Sequence, residues 1–118
     1  MEQFFNSNYF WLSLVALFFI WKMWRKRKMK PLINSYLEKN AIVVDVRSPE
    51  EFQGGHCPES INMPLNTLQA RYLELDKKRP IIVCCASGGR SSMAMNFLKE
   101  NGFTEVINAG AWTNVSKA

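Results

Sequence analysis

The chain has 118 residues, 47% of them hydrophobic, and a formal net charge of +5. That length holds one small domain and one further segment. The charge would suggest a nucleic-acid partner, but it is confined to one run. The first 30 residues carry Lys22, Arg25, Lys26, Arg27, Lys28 and Lys30 against Glu2 alone, while residues 31–118 carry nine basic and nine acidic side chains. The distribution argues against nucleic acid. Three cysteines, two of them adjacent (Cys84 and Cys85), do not make a disulfide framework. They read as reduced thiols in a reducing compartment.

The first segment is apolar. From Gln3 to Trp21 no residue is charged, a run close to the ~20 residues that cross a bilayer. Tyr9, Phe10 and Trp11 stand at one end and Trp21 and Trp24 at the other, the places where spanning helices carry aromatic residues. A cleavable leader would put its positive charge before the apolar core; here the basic run follows it. The reading is a transmembrane helix over 4–24, a basic juxtamembrane linker over 25–30 and a domain over 31–118. The basic run then places the chain in the cell (inner) membrane as a single-pass protein with its C-terminal domain cytoplasmic. A buried core helix is the other reading of the apolar run.

From Pro31 onward helices and strands alternate. Leu32, Ile33, Tyr36 and Leu37 recur at helical spacing. Ala41–Val46 is a β-branched run and reads as a buried strand. Ser48, Pro49 and Glu51 make a helix start with a capping box, and Gly54-Gly55 a stop. Leu65, Leu68, Tyr72 and Leu73 (or Leu75) suggest another helix. Pro80–Cys85 is a second strand, Gly88-Gly89 a turn, Ser91–Asn101 a helix stopped by Gly102, and Glu105–Ile107 a third strand. The alternation implies an α/β domain, a small mainly parallel sheet flanked by helices.

The chemistry concentrates where the second strand ends. Ligands of open α/β sheets bind beyond the carboxyl ends of the strands, and Cys85 falls there, followed by Ala86, Ser87, Gly88, Gly89, Arg90 and Ser91. Amide N–H groups of a Gly-rich turn and of a helix start form an anion-binding nest. Such a field favours thiolate over thiol. Arg90 adds a planar cation for an oxyanion. Cys85 is therefore the candidate nucleophile and residues 86–91 the candidate substrate cradle. The plain alternative is a small core hydrophobe, the usual fate of free cysteine, and Cys84 reads that way. One histidine and three cysteines show no metal-ligand spacing, and no cofactor is implied.

Three motifs in order resemble the rhodanese family of sulfurtransferases. Asp45-Val46-Arg47-Ser48-Pro49-Glu50-Glu51-Phe52, with Gly55-His56 and Ile61-Asn62-Met63-Pro64, is similar to its first motif. Cys85-Ala86-Ser87-Gly88-Gly89-Arg90-Ser91 is similar to its active-site loop, and Asn108-Ala109-Gly110-Ala111-Trp112 to its closing motif. The resemblance covers most of 31–118 and none of 1–30. It implies that Cys85 takes sulfane sulfur, from a donor such as thiosulfate or a protein persulfide, holds it as a persulfide under the loop amides, and passes it to a thiophilic acceptor. It also implies structural roles for His56, Asp45 and Arg47.

The sequence departs from the family where Cys57 replaces an aliphatic residue and Glu59 a glycine. A turn of altered shape is expected there, and Cys57 is a candidate resolving thiol. A closing C-terminal helix is not expected after Trp112. Two rivals stand beside the sulfurtransferase. Counted from Cys84, five residues precede Arg90, the spacing of cysteine-dependent phosphatases. The fold could also serve as a non-catalytic membrane-anchored binding module.

Overall fold

A computed structural model describes residues 7–116. The chain divides into two units, Met1–Pro31 and Leu32–Ala118.

The first element is a helix, α1 (Ser7–Glu38), with Pro31 inside it. The basic stretch 25–30 is thus helical, and the short helix expected at Leu32–Leu37 is the end of α1. Tyr9–Phe10–Trp11–Leu12 and most apolar residues onward to Trp24 are exposed. Lys22 reaches over the Phe18 ring and Arg25 over Trp21. The spanning helix expected over 4–24 is not supported: among the described residues no helix is long and apolar enough to cross a membrane. Polar Ser7, Asn8 and Ser13 and the charge of Lys22 dilute the run, and residues 4–6 of the expected span lie outside the described residues.

Just past the end of α1, Asn40 takes φ +63°. The Ala41 amide donates to the Tyr36 carbonyl and the Asn40 amide to Leu37, a C-terminal cap that asparagine tolerates in place of glycine.

The second unit is an α/β sheet. After α1 come β1 (Ile42–Asp45), α2 (Pro49–Gln53), β2 (Ile61–Asn62), α3 (Leu65–Arg71), a 3-10 turn (Tyr72–Glu74), β3 (Ile81–Cys85), α4 (Gly89–Glu100), β4 (Val106–Ala111) and α5 (Trp112–Ser116). The four strands are all parallel, in the order β2-β1-β3-β4. β2 is a pair of residues that periodicity could not reveal, and β4 is twice the length expected. The five-residue α5 corrects the expectation that nothing helical follows the closing motif.

Both central strands are buried along their whole length, as parallel strands covered on two faces must be. Alternation sends Ile81, Val83 and Cys85 to one face. There they join Ile42, Val44, Met63, Leu68, Ala94, Leu98 and Phe103 in one core. Cys84, fully buried, points to the opposite face by the same alternation. Helix α4 stops at Gly102, φ +95°, with the Phe103 amide donating back to Leu98 and Phe103 itself buried. Opposite β3, β4 carries a bulge: Val83 pairs with Asn108 but Cys84 with Gly110, so Ala109 is extra.

Candidate active site

Two strand-to-helix connections lie side by side at the carboxyl ends of β1 and β3. The first is held by side chains. Asp45, fully buried, accepts from Arg47 four times, once from the backbone amide and twice from Nε, each at 3.0 Å, and once from Nη2 at 2.8 Å. Arg47 Nη2 also donates to the Gly55 carbonyl at 2.7 Å, and its guanidinium lies 4.8 Å over the Trp112 ring. A buried charge needs such a partner, so the pair ties the first motif to the closing one. Next, Ser48 caps α2. The Glu51 amide donates to Ser48 Oγ at 3.3 Å, and Glu51 Oε1 accepts from the Ser48 amide at 3.1 Å.

His56 stacks on Phe52 at 3.8 Å and its Nδ1 donates to the Phe52 carbonyl. It takes the structural place expected of it. Glu59 sits at φ +67°. That is a left-handed conformation which glycine adopts more readily than glutamate.

The second connection is held around a sulfur atom. Gly88 takes φ +110°, open to glycine and rarely to other residues. This turns its amide onto Cys85 Sγ, at 2.9 Å. Ser91 Oγ lies 3.2 Å from the same sulfur. No side chain caps α4; its leading amides face the thiol instead. Burial pushes the Cys85 thiol up, but the Ser91 hydroxyl and the amides of Ser91, Gly88 and Ser87 outweigh it, and the net shift is downward. Ala86, Ser87 and Gly89 are exposed at the rim.

The neighbouring thiols differ. Burial, with Asp45 adding to it, pushes Cys84 up to about 12, so it stays protonated and has no path to solvent. Its full burial, on the face opposite Cys85, sets it apart from the loop amides that meet Cys85. Cys57 is also buried and raised, chiefly by burial, and its Sγ lies 3.5 Å from the Pro58 carbonyl.

Arg90 was expected to face an anion. Its Nη1 and Nη2 instead donate to Glu51 Oε1 and Oε2 at 2.7 and 3.0 Å. The pair, half-exposed on both sides, neutralises the mouth of the loop. Sequence reasoning assigned Glu51 to the cap alone, and nothing in its spacing shows the second partner.

Asn108 was also missed. Its Oδ1 accepts from Ser91 Oγ at 2.6 Å and from the Gly110 amide at 2.9 Å, and its Nδ2 donates to the Gly88 carbonyl at 3.1 Å. The sequence named it only as the first residue of the closing motif, beyond the strand expected over Glu105–Ile107.

Residues 30–118 match the family model described as a rhodanese-like domain. The chain belongs to the rhodanese-like family. It is 34% identical over 109 residues to the uncharacterized protein YqhL of Bacillus subtilis, covering 86% of each chain. It is 36% identical over 75 residues to the thiosulfate sulfurtransferase PspE of Escherichia coli, covering 62% of this chain and 72% of that one. A solved structure of a rhodanese with anions from E. coli superposes with a TM-score of 0.61 at 35% identity, over 64% of this chain and 92% of that chain. This rhodanese-like chain thus has sulfurtransferases among its relatives, and its loop from Cys85 to Ser91 lies within the matched region.

Proposed function

We propose that the chain is a sulfurtransferase that carries sulfane sulfur on Cys85. The observation that carries this reading is the convergence of the Gly88 amide and the Ser91 hydroxyl on one sulfur atom, at 2.9 and 3.2 Å. That cradle favours a negative charge at Cys85 Sγ and, once a second sulfur is attached, leaves the exposed rim residues Ala86, Ser87 and Gly89 around it. With thiosulfate as donor, the Cys85 thiolate attacks the outer sulfur. The S–S bond of thiosulfate breaks, sulfite leaves with the electron pair, and Cys85 becomes a persulfide anion. A thiophilic acceptor, a thiolate or cyanide, then attacks the outer sulfur and restores the Cys85 thiolate. A protein persulfide serves the same step with a thiolate as leaving group.

The relatives named as thiosulfate sulfurtransferases support thiosulfate as one donor. Intact mass of the full-length chain after exposure to thiosulfate tests the reading. The expected result is a gain of one sulfur atom, removed by cyanide and absent in Cys85→Ser. Gain of sulfur by Cys85→Ser would overturn the assignment of the nucleophile. No gain in the parent from either thiosulfate or a persulfide donor would favour a binding module.

A further inference from the structure

Ser91 Oγ has one proton and three acceptors in reach: Asn108 Oδ1 at 2.6 Å, the Gly88 carbonyl at 3.2 Å and Cys85 Sγ at 3.2 Å. The orientation of the Asn108 amide is set from both ends. Oδ1 takes the Gly110 N–H, and Nδ2 gives to the Gly88 carbonyl. Two arrangements of the hydroxyl proton are therefore available. With Cys85 protonated, the thiol donates to Ser91 Oγ and Ser91 donates to Asn108. With Cys85 ionised, Ser91 donates to the sulfur. Asn108 Oδ1 then keeps the Gly110 N–H, and the Gly88 carbonyl keeps Asn108 Nδ2. Neither arrangement orphans a buried polar group, which is the costly outcome in a dry site. Ser91 and Cys85 are fully buried, and Gly88 and Asn108 are half-buried.

We propose that Asn108 is a positioning residue that holds the Ser91 hydroxyl between two acceptors and so lets its proton follow the charge on Cys85. The part concerning thiol and thiolate stands on the geometry alone. The part concerning transfer rests on the sulfurtransferase reading: when charge moves to the outer sulfur of a persulfide, the Ser91 proton returns to Asn108. The charged groups around the thiol do not supply this control. Arg90 on α4 is paired with Glu51 on α2, and Asp45 on β1 is paired with Arg47.

The test is the pH dependence of iodoacetamide alkylation at Cys85, read by mass on the Cys85 peptide of the full-length chain, with thermal melts alongside. It needs no sulfur donor, so its failure is separate from failure of the sulfurtransferase reading. Ser91→Ala should move the alkylation midpoint up by about one pH unit, the size of a lost hydrogen bond to a charged group. Asn108→Ala removes the acceptor that holds the Ser91 proton in the thiol arrangement and should move the midpoint down, by less than Ser91→Ala moves it up. The double variant should match Ser91→Ala alone, because Asn108 acts through Ser91. An unchanged midpoint in a folded Asn108→Ala, or additive shifts in the double variant, would overturn the proposal. Should Asn108→Ala fail to fold, Asn108→Asp keeps the side-chain shape. Its carboxylate holds the Ser91 proton more strongly and raises the midpoint. That rise should shrink when Ser91 is replaced by Ala; an equal rise in both backgrounds counts against the relay.

Discussion

The connections after β1 and after β3 join a buried parallel strand to a helix, and they solve the same problem in opposite ways. The opening amides of a helix have no intrahelical partner. After β1, Ser48 satisfies α2 with its own side chain and Glu51 reaches back to complete the box. After β3, Gly88 supplies no side chain at all, and the loop amides turn to Cys85. One connection is closed by its own residues and is a structural corner. The other leaves its donors for a sulfur that carries charge. A missing cap beside a nucleophile marks the site here more sharply than the presence of the cysteine, since Cys84 next door is as buried and has no such donors.

Three substitutions probe that contrast. Arg47→Ala should have the largest effect. It strands the Asp45 carboxylate in a fully buried position, and breaking a buried pair costs about 3–5 kcal/mol. Chemical denaturation of the variant should show a loss of that size, and a loss below about 1 kcal/mol would mean the corner is not held by this pair.

Ser48→Ala removes the cap. It should cost about 1 kcal/mol while leaving the alkylation midpoint of Cys85 where it was. A shifted midpoint would show that the two connections are coupled through Glu51 and Arg90.

Glu51→Gln should have the smallest effect on stability and a distinct signature. Its hydrogen bonds from Arg90, with help from Ser48, lower the Glu51 carboxyl from 4.5 to about 2. A carboxyl lowered on folding contributes stability that is present above pH 4.5 and lost as pH falls toward about 2. The glutamine variant should lose that part of the acid dependence. It also leaves the Arg90 charge uncompensated at the mouth, so KM for thiosulfate should fall several-fold at low ionic strength and converge on the parent in high salt. A salt-independent KM would show that Arg90 does not meet the donor.

Much of the second unit was legible because its signals are local. The capping box at Ser48, the β-branched run before Asp45 and the glycine after α4 each stand within a few residues of what they cause. β2 was not legible: two residues have no periodicity, and Ile61-Asn62 is a strand only because Val44 and Asp45 lie beside it. Pro31 misled, because a proline that usually begins a helix stands inside α1. It gives up one backbone bond there, while good helix formers such as Lys, Met and Leu surround it. The apolar run before it suggested a bilayer through the order of its charges, yet its polar and aromatic content leaves the described helix short of that standard. In the candidate site the loop could be placed, because cysteine, glycines and arginine are contiguous. Glu51 and Asn108 could not, since each meets the loop only through tertiary pairing, 39 residues from Arg90 and 17 from Ser91.

The bulge in β4 makes this domain sensitive to chain length in a way that composition does not disclose. A strand keeps count in twos, and the extra Ala109 resets that count between Asn108 and Gly110. Asn108, opposite Val83, lies on the face of Cys85, and Ala111 beyond the bulge lies opposite Cys85 itself. Deleting Ala109 would restore an unbroken ladder with the same pairs, Gly110 against Cys84 and Ala111 against Cys85, whereas adding a residue would shift both. Every replacement of a side chain at 109 leaves that phase intact. The segment should therefore accept substitutions of similar size and tolerate loss of Ala109 better than the gain of a residue.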